Sequence, residues 1–138
     1  MTTLLVIPLS AMLVHAASAS NWVGIYRYAN FSGLVQGLRD IKTQTCYNVL
    51  CEDVNNLASS AAWLGWIAAP SGNGLPRITF FLDKDCKGAF RGYEAGGTNY
   101  PSDFSADDVD NKITSLIVYD RNFIDVDETI TFCKGSTE

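Results

Sequence analysis

Two segments of the chain, residues 26–60 and 81–115, align on each other without a gap at a constant offset of 55 residues. Each segment has an aromatic residue, a glycine seven positions later, and a polar hexapeptide that begins 22 positions after that glycine. A fixed period of this kind indicates two copies of one supersecondary unit that bury their apolar faces on each other. The matched positions, first copy named first, are Tyr26 and Phe81, Gly33 and Gly88, Gly37 and Gly92, and the hexapeptides 55–60 (NNLASS) and 110–115 (DNKITS).

The segments between turns have the composition of β-strands. Residues 22–28, 77–82, 114–119 and 129–132 are rich in β-branched and aromatic residues, and Gly, Asn, Asp and Ser bound them. We also expect a short helix around residues 55–66. Many short strands with regular turns predict an all-β, two-sheet sandwich.

Residues 1–19 have the pattern of a secretory signal peptide. An apolar run at residues 4–14 is followed by small residues that fit cleavage after Ala16 or Ala19. The run is shorter than the roughly 20 residues that a membrane-spanning helix needs. We therefore expect a mature chain of residues 20–138 that is secreted to the extracellular space, without stable membrane insertion.

Charge and histidine content argue against several functional classes. Ten Lys and Arg against fifteen Asp and Glu give a net charge of −5, whereas a nucleic-acid partner requires a basic surface. The single histidine, His15, lies in the predicted signal peptide, so the mature chain has no imidazole for nucleophilic catalysis or metal binding. No pair of carboxylates carries a catalytic motif either, and we expect no catalytic residues and no enzyme activity.

All four cysteines remain in the mature chain, and an even number in a small secreted protein predicts two disulfides rather than a zinc site. Four cysteines allow three pairings, and the sequence does not decide among them. We favour one bond that clips the short 46–51 loop and one that ties the C-terminal strand. The cysteines in question are Cys46 with Cys51 and Cys86 with Cys133.

The repeated motifs resemble the Greek key units of the βγ-crystallin family. The first copy, Tyr26-x4-Phe31-x-Gly33, matches the family's aromatic-x4-aromatic-x-Gly corner. The second copy has Cys86 at the second aromatic position, where a disulfide would replace the lost contacts. Over residues 23–119, the resemblance implies a β-sandwich of two Greek keys. Motif one would span about 22–69 and motif two about 77–120, with a C-terminal strand in 121–138.

The resemblance also implies up to two Ca²⁺ ions, because both hexapeptides match the family's Asn/Asp-Asn/Asp-x-x-Ser/Thr-Ser signature. Ca²⁺ takes six to eight oxygen ligands, more than one short loop supplies, so the loops are expected to share ligands. With Asp110 as the only carboxylate of the two hexapeptides, binding should be weak, at roughly 10⁻⁴–10⁻³ M. The implied ligands are the carbonyls of Leu57 and Lys112, the hydroxyls of Ser59 and Thr114, and the side chains of Asn56 and Asn111 reaching across, with Asn55 and Asp110 holding the loops or adding a ligand.

Two further polar motifs need an interpretation. Residues 83–94 imitate an EF-hand loop, but Lys87 occupies a ligand position and the flanks are not helical, so we interpret Asp83 and Asp85 as hairpin residues. Asn30-Phe31-Ser32 is the one N-glycosylation sequon of the sequence. It would be glycosylated only if the source is eukaryotic.

The sequence thus predicts a secreted, monomeric, calcium-binding protein in which Ca²⁺ stabilises the fold. Two alternatives on the same fold stay open, a secreted antimicrobial or killer-type toxin or effector and a protease inhibitor. An inhibitor would use an exposed loop at residues 70–76 or 46–51. Any protein or cell-surface partner is unidentified.

Overall fold

A computed structural model describes residues 20–52, 54–67, 72–122 and 125–132. The predicted signal peptide and Cys133 lie outside these ranges. The all-β class is confirmed, and the predicted strands at 22–28, 77–82, 114–119 and 129–132 correspond to β1, β5, β7 and β8. The strands are β1 (Trp22–Tyr28), β2 (Ser32–Arg39), β3 (Thr45–Asn48), β4 (Ser60–Leu64), β5 (Arg77–Asp83), β6 (Lys87–Glu94), β7 (Ser115–Tyr119) and β8 (Glu128–Thr131), with short 3-10 helices at Lys84–Cys86 and Phe104–Asp107.

The strands form two sheets, in the orders β2-β1-β4 and β6-β5-β7-β3-β8. Strand β3 leaves the first motif and pairs with β7 in the sheet of the second. The reciprocal crossing is made by residues 101–102, since Ala61 N donates to Pro101 O (3.2 Å) and Asn30 N to Ser102 O (2.7 Å). Each motif therefore lends one segment to the sheet of the other, and the two Greek keys interlock.

The core lies between the sheets. On β1 and β4, alternate residues point inward, and Val23, Ile25, Ala61 and Trp63 are at most 1 % exposed. The Trp63 indole donates to Ala95 O (3.1 Å), so this large side chain is buried with its polar atom satisfied. Strand β7 is buried along its whole length because a second small cluster covers the outer face of its sheet. That cluster contains Phe81, Ile117 and Tyr119.

The prediction of a short helix around residues 55–66 is wrong, because this segment is a turn followed by strand β4. Pairing with β1 places Ala61 and Trp63 in the core and leaves Leu64 61 % exposed, an alternation with the period of a strand. The alanine-rich composition favours a helix only weakly, and sheet pairing overrides that preference.

The favoured cysteine pairing is also wrong, because Cys46 is bonded to Cys86. The crossing of β3 into the second sheet brings the Cα atoms of these residues to 5.9 Å, although 40 positions separate them. Cys51 is buried, and its sulfur lies 2.6 Å from the carbonyl oxygen of Phe132. The second predicted disulfide would involve Cys133, which lies outside the described residues.

Strand β8 pairs in parallel with β3 and so extends the second sheet beyond the two motifs. The buried side chain of Gln44 holds the segment before β8. Its Nε2 donates to the carbonyls of Asn122 (2.9 Å) and Asp125 (2.7 Å), and its Oε1 accepts from Asp120 N (3.1 Å). Within the described ranges, no helix has the length and apolar character needed to cross a membrane.

Candidate metal centre

The two hexapeptides lie side by side and exchange backbone hydrogen bonds. Asn56 N donates to Ile113 O (3.1 Å), and Asn111 N donates to Ala58 O (2.9 Å). Both asparagines adopt left-handed backbone conformations, with φ of 58° and 53°, which asparagine tolerates better than most residues. Each loop therefore fixes the backbone of the other, as the interlocking of the motifs requires.

A second layer of hydrogen bonds fixes the residues that precede β4 and β7. Ser59 N donates to Tyr26 O and Thr114 N to Phe81 O, both at 2.9 Å, and these two bonds are related by the 55-residue offset. Because the backbones of Ser59 and Thr114 are held in this way, their hydroxyls are presented from equivalent positions.

The last serine of each hexapeptide has a structural role that the sequence did not reveal. Ser115 Oγ accepts from Cys86 N (3.0 Å) and donates to Asp83 O (2.5 Å). Ser60 Oγ likewise accepts from Phe31 N (3.1 Å) and donates to Tyr28 O (2.7 Å). These hydroxyls fasten each corner to the loop of its own motif. The recurrence of serine at both positions was the only signal of this role.

The two loops differ in the side chains that they bring together. Thr114 Oγ1 lies 3.3 Å from Asn56 Oδ1, so a predicted hydroxyl ligand and a predicted amide ligand meet across the loops. The amide of Asn111 instead donates to Asp110 Oδ2 (3.0 Å) within its own loop. One of the two predicted cross-loop pairs is therefore in place, and no such contact joins Asn111 to Ser59 within the described residues.

Two oxygens at the first position of the hexapeptides are buried without a hydrogen-bond partner in the described structure. They are Oδ1 of Asn55 and Oδ1 of Asp110, which are equivalent under the 55-residue offset. A buried oxygen without a partner is costly, about 1–3 kcal/mol for a neutral group and more for a charged one. A cation or a water molecule would remove that cost, so this donor set fits a hard metal ion.

The acidic run 103–110 is used mainly for local structure. The carboxylate of Asp103 accepts from Ser105 N (2.9 Å), and hydrogen bonding to Ser105 lowers the pKa of Asp103. Asp107 accepts from the hydroxyl of Tyr93 (2.6 Å). Burial, together with this bond, raises the pKa of Tyr93 above its usual value of 10.

Lys112 places a cation within the second loop, where its Nζ donates to Asp108 O (3.3 Å). No cluster of three or more His, Cys, Asp or Glu side chains that could hold a metal occurs among the described residues. The oxygens at the loops are therefore mainly amide, hydroxyl and carbonyl oxygens, which suit Ca²⁺ better than a transition metal.

The EF-hand-like segment is a hairpin rather than a metal loop. Asp85 has a left-handed backbone (φ 60°), its N–H donates to Asn48 Oδ1 (2.7 Å), and its Oδ1 accepts from Asn48 Nδ2 (2.9 Å). This carboxylate is committed to holding β3 against the second corner. The segment around it consists of β5, a short 3-10 helix and β6.

The corners of the two motifs show the same construction with different chemistry. The ring of Phe31 makes edge contacts with Tyr26 (centroids 5.9 Å apart) and with Tyr100 (6.3 Å). At the equivalent position of the second motif, Cys86 is bonded to Cys46. A disulfide thus takes the place of an aromatic contact, although the partner of Cys86 is Cys46 and not the predicted Cys133. The fold is that of a βγ-crystallin domain.

Several solved βγ-crystallin structures are similar to this chain at low sequence identity. One, from work on the evolution of the eye lens βγ-crystallin domain fold, is 18% identical with a TM-score of 0.49, over 77% of this chain and 90% of that chain. A domain from Flavobacterium johnsoniae is 15% identical (TM-score 0.48, 72% of this chain, 96% of that chain). A domain from Clostridium beijerinckii is also 15% identical (TM-score 0.46, 70% of this chain, 95% of that chain).

No family model and no curated protein matches the chain. The fold assignment therefore rests on the interlocked strand order and on the two corners. The metal ligands stay predictions.

Proposed function

We propose that this is a secreted, monomeric, non-enzymatic protein that binds up to two Ca²⁺ ions, which stabilise its folded state. The observation that carries the proposal is the contact between Thr114 Oγ1 and Asn56 Oδ1, 3.3 Å apart and contributed by different motifs. The buried Oδ1 atoms of Asn55 and Asp110 support it, because each lacks a hydrogen-bond partner beside these loops.

The ligands divide between the two loops. Thr114, the carbonyl of Lys112 and the amide of Asn56 would hold one ion. The other ion would be held by Ser59, the carbonyl of Leu57 and the side chain of Asn111. The side chain of Asn111 is held within its own loop by the bond from Nδ2 to Asp110, whereas Asn56 already meets Thr114, so we propose that the site at Thr114 fills first. Water would complete the oxygen shell that Ca²⁺ requires.

Calcium would contribute stability by mass action. Each site takes ligands from both motifs, so an ion binds the folded chain and not the unfolded one. One such site adds about 2.7 kcal/mol at a free Ca²⁺ concentration one hundred times Kd. With Asp110 as the single carboxylate, affinity is expected in the range of extracellular modules, roughly 10⁻⁴–10⁻³ M.

The test is a thermal melt of the mature, oxidised protein in excess EGTA and again in millimolar Ca²⁺, with Mg²⁺ as the ion control. We expect a Ca²⁺-specific rise in Tm that is reduced in Thr114→Ala and in Asp110→Ala. Asn56→Ala should reduce the rise as well, and Asn99→Ala is its matched control, because Asn99 is also exposed and belongs to neither hexapeptide. An unchanged Tm in Ca²⁺ would refute the proposal and leave the loops as hydrogen-bonded turns.

Of the two candidate inhibitory loops, residues 46–51 do not have the exposure that a protease-binding loop requires. Residues Thr45–Asn48 form strand β3, all four are buried, and Val49 is 1% exposed. This segment therefore does not project as a rigid binding loop. Growth inhibition or membrane leakage caused by the purified protein would instead favour the toxin alternative.

A further inference from the structure

The β1–β2 hairpin carries a concentration of exposed apolar side chains. Tyr28 is 58% exposed, Phe31 38% and Leu34 56%. They are three of the eight large hydrophobic side chains that are exposed in the described structure, and they fall within seven consecutive residues. A cluster of this kind on a soluble domain indicates a surface that something covers.

The ring of Tyr28 packs against the backbone of Gly33. A Cβ atom on Gly33 would lie 2.9 Å from Tyr28 Cδ2 and 3.1 Å from Cε2, so the ring rests directly on this glycine. Gly33 also has a φ of 70°, which other residues rarely adopt. One side of the ring is therefore packed, while most of the side chain faces solvent.

Asn30 stands at the tip of the same hairpin, and its equivalent in the second motif is Asp85. Both have left-handed backbones, but the Asp85 side chain is bound by Asn48, as described above. In the first motif the backbone alone makes the link, through Asn30 N to Ser102 O. Asn30 is exposed, and its side-chain amide makes no hydrogen bond within the described residues.

We propose that Asn30 carries an N-linked glycan whose first N-acetylglucosamine packs on the exposed side of Tyr28, with Leu34 at its edge. The sequon Asn30-Phe31-Ser32 supplies the acceptor, and it lies in the middle of the apolar cluster. The apolar face of a sugar ring pairs with an aromatic face, and one residue separates Tyr28 from Asn30. This inference shares with the proposed function only the requirement for secretion.

The modification uses a lipid-pyrophosphate-linked oligosaccharide, the donor available in a eukaryotic secretory compartment. A bond forms between Asn30 Nδ2 and C1 of the first sugar, and the bond from C1 to the pyrophosphate oxygen breaks. The lipid pyrophosphate leaves with the electron pair, and the amide nitrogen loses one proton. No oxidant or reductant is needed.

The first experiment is secretion of the full chain from a eukaryotic cell line, followed by mass spectrometry before and after digestion with an N-glycosidase. We expect a glycan on Asn30 that is lost in Asn30→Gln and in Ser32→Ala and retained in Asn99→Gln. Secreted protein without a glycan at Asn30 would overturn the proposal. The calcium proposal can hold or fail independently of this result, because neither Asn30 nor Tyr28 is among its proposed ligands.

The second experiment tests the packing on Tyr28. Melts in EGTA compare the glycosylated protein with the same mature chain made without a glycan in bacteria, so that calcium makes no contribution. The glycan should raise Tm by about 4 °C in the natural sequence, which corresponds to roughly 1 kcal/mol for a domain of this size. In Tyr28→Ala the same comparison should give little change. An equal shift in both sequences, or no shift in either, would refute the contact.

Discussion

Removal of the Cys46–Cys86 disulfide should destabilise the domain strongly. The bond closes a loop between residues 40 positions apart. In the chain-entropy model, removing a bond that closes a loop of that length raises the entropy of the unfolded chain by about 13 cal/mol/K. This corresponds to a loss of stability of about 4 kcal/mol at 25 °C. The double variant Cys46→Ala/Cys86→Ala also loses packing at Cys46, which is fully buried. We therefore expect a loss near the upper end of the usual range of about 2–4 kcal/mol for a disulfide.

The assay is urea unfolding in EGTA, followed by tryptophan fluorescence, because Trp63 is buried in the core. The midpoint should fall and the slope should rise, because the unfolded chain without this bond is less compact and exposes more surface. Peptide mapping of the oxidised parent should recover the fragments that contain Cys46 and Cys86 joined. A loss below about 1 kcal/mol would refute the reasoning from loop closure.

The same variant tests whether this corner supports the metal loop. Cys86 N donates to Ser115 Oγ, and Ser115 follows the predicted ligand Thr114. Loosening the second corner should therefore weaken calcium binding at the site of Thr114 more than at the site of Ser59. Titration of the double variant alone and combined with Thr114→Ala would show this, because the two effects should not be additive. Additive losses would indicate that the corner and the loop are independent.

Three further predictions concern single side chains. Ser115→Ala removes a buried hydroxyl that makes two hydrogen bonds, and urea unfolding should show a loss of about 1–3 kcal/mol; the exposed Ser105→Ala is the control, and equal effects would contradict the structural role. Lys112→Gln removes a cation from the second loop, and the repulsion between this cation and Ca²⁺ is worth roughly 1 kcal/mol across a solvated surface. Calorimetry should therefore show Ca²⁺ binding that is several-fold tighter, whereas unchanged affinity would place the ion elsewhere. The pKa of Tyr93 is raised in the folded state, so its contribution to stability is fully present below pH 10 and is lost as the pH rises further; melts from pH 8 to 12 should fall less steeply at the alkaline end in Tyr93→Phe, and parallel curves would contradict the assignment.

Local pattern and repeat were sufficient for much of the fold. The 55-residue offset holds in the backbone, where Asn30 and Asp85, Phe31 and Cys86, and Gly33 and Gly88 all have positive φ. Strand β1 spans the predicted residues because its β-branched and aromatic composition is local information.

Features that depend on long-range pairing were not predictable in the same way. The partner of Cys46 is decided by the crossing of β3 into the other sheet, which no short window of sequence encodes. Strand β4 has the composition of a helix and is a strand only because β1 lies beside it. At the loops, the sequence predicted two cross-loop pairs, and one of them, Thr114 with Asn56, is in contact. The difference between the two pairs depends on whether an amide turns to its own loop, as Asn111 does, or to the other, as Asn56 does.

The reciprocal bonds between the hexapeptides make calcium binding a property of the pair of motifs. Asn56 N needs the carbonyl of Ile113, and Asn111 N needs the carbonyl of Ala58. Neither loop can therefore keep its left-handed residue in place when the other motif is unfolded. An ion that bridges the loops stabilises the interlocked state as a whole, so its effect on unfolding should be cooperative. Local opening of either hexapeptide, measured by amide hydrogen exchange, should then slow at both loops together when calcium binds, and protection confined to one loop would contradict this coupling.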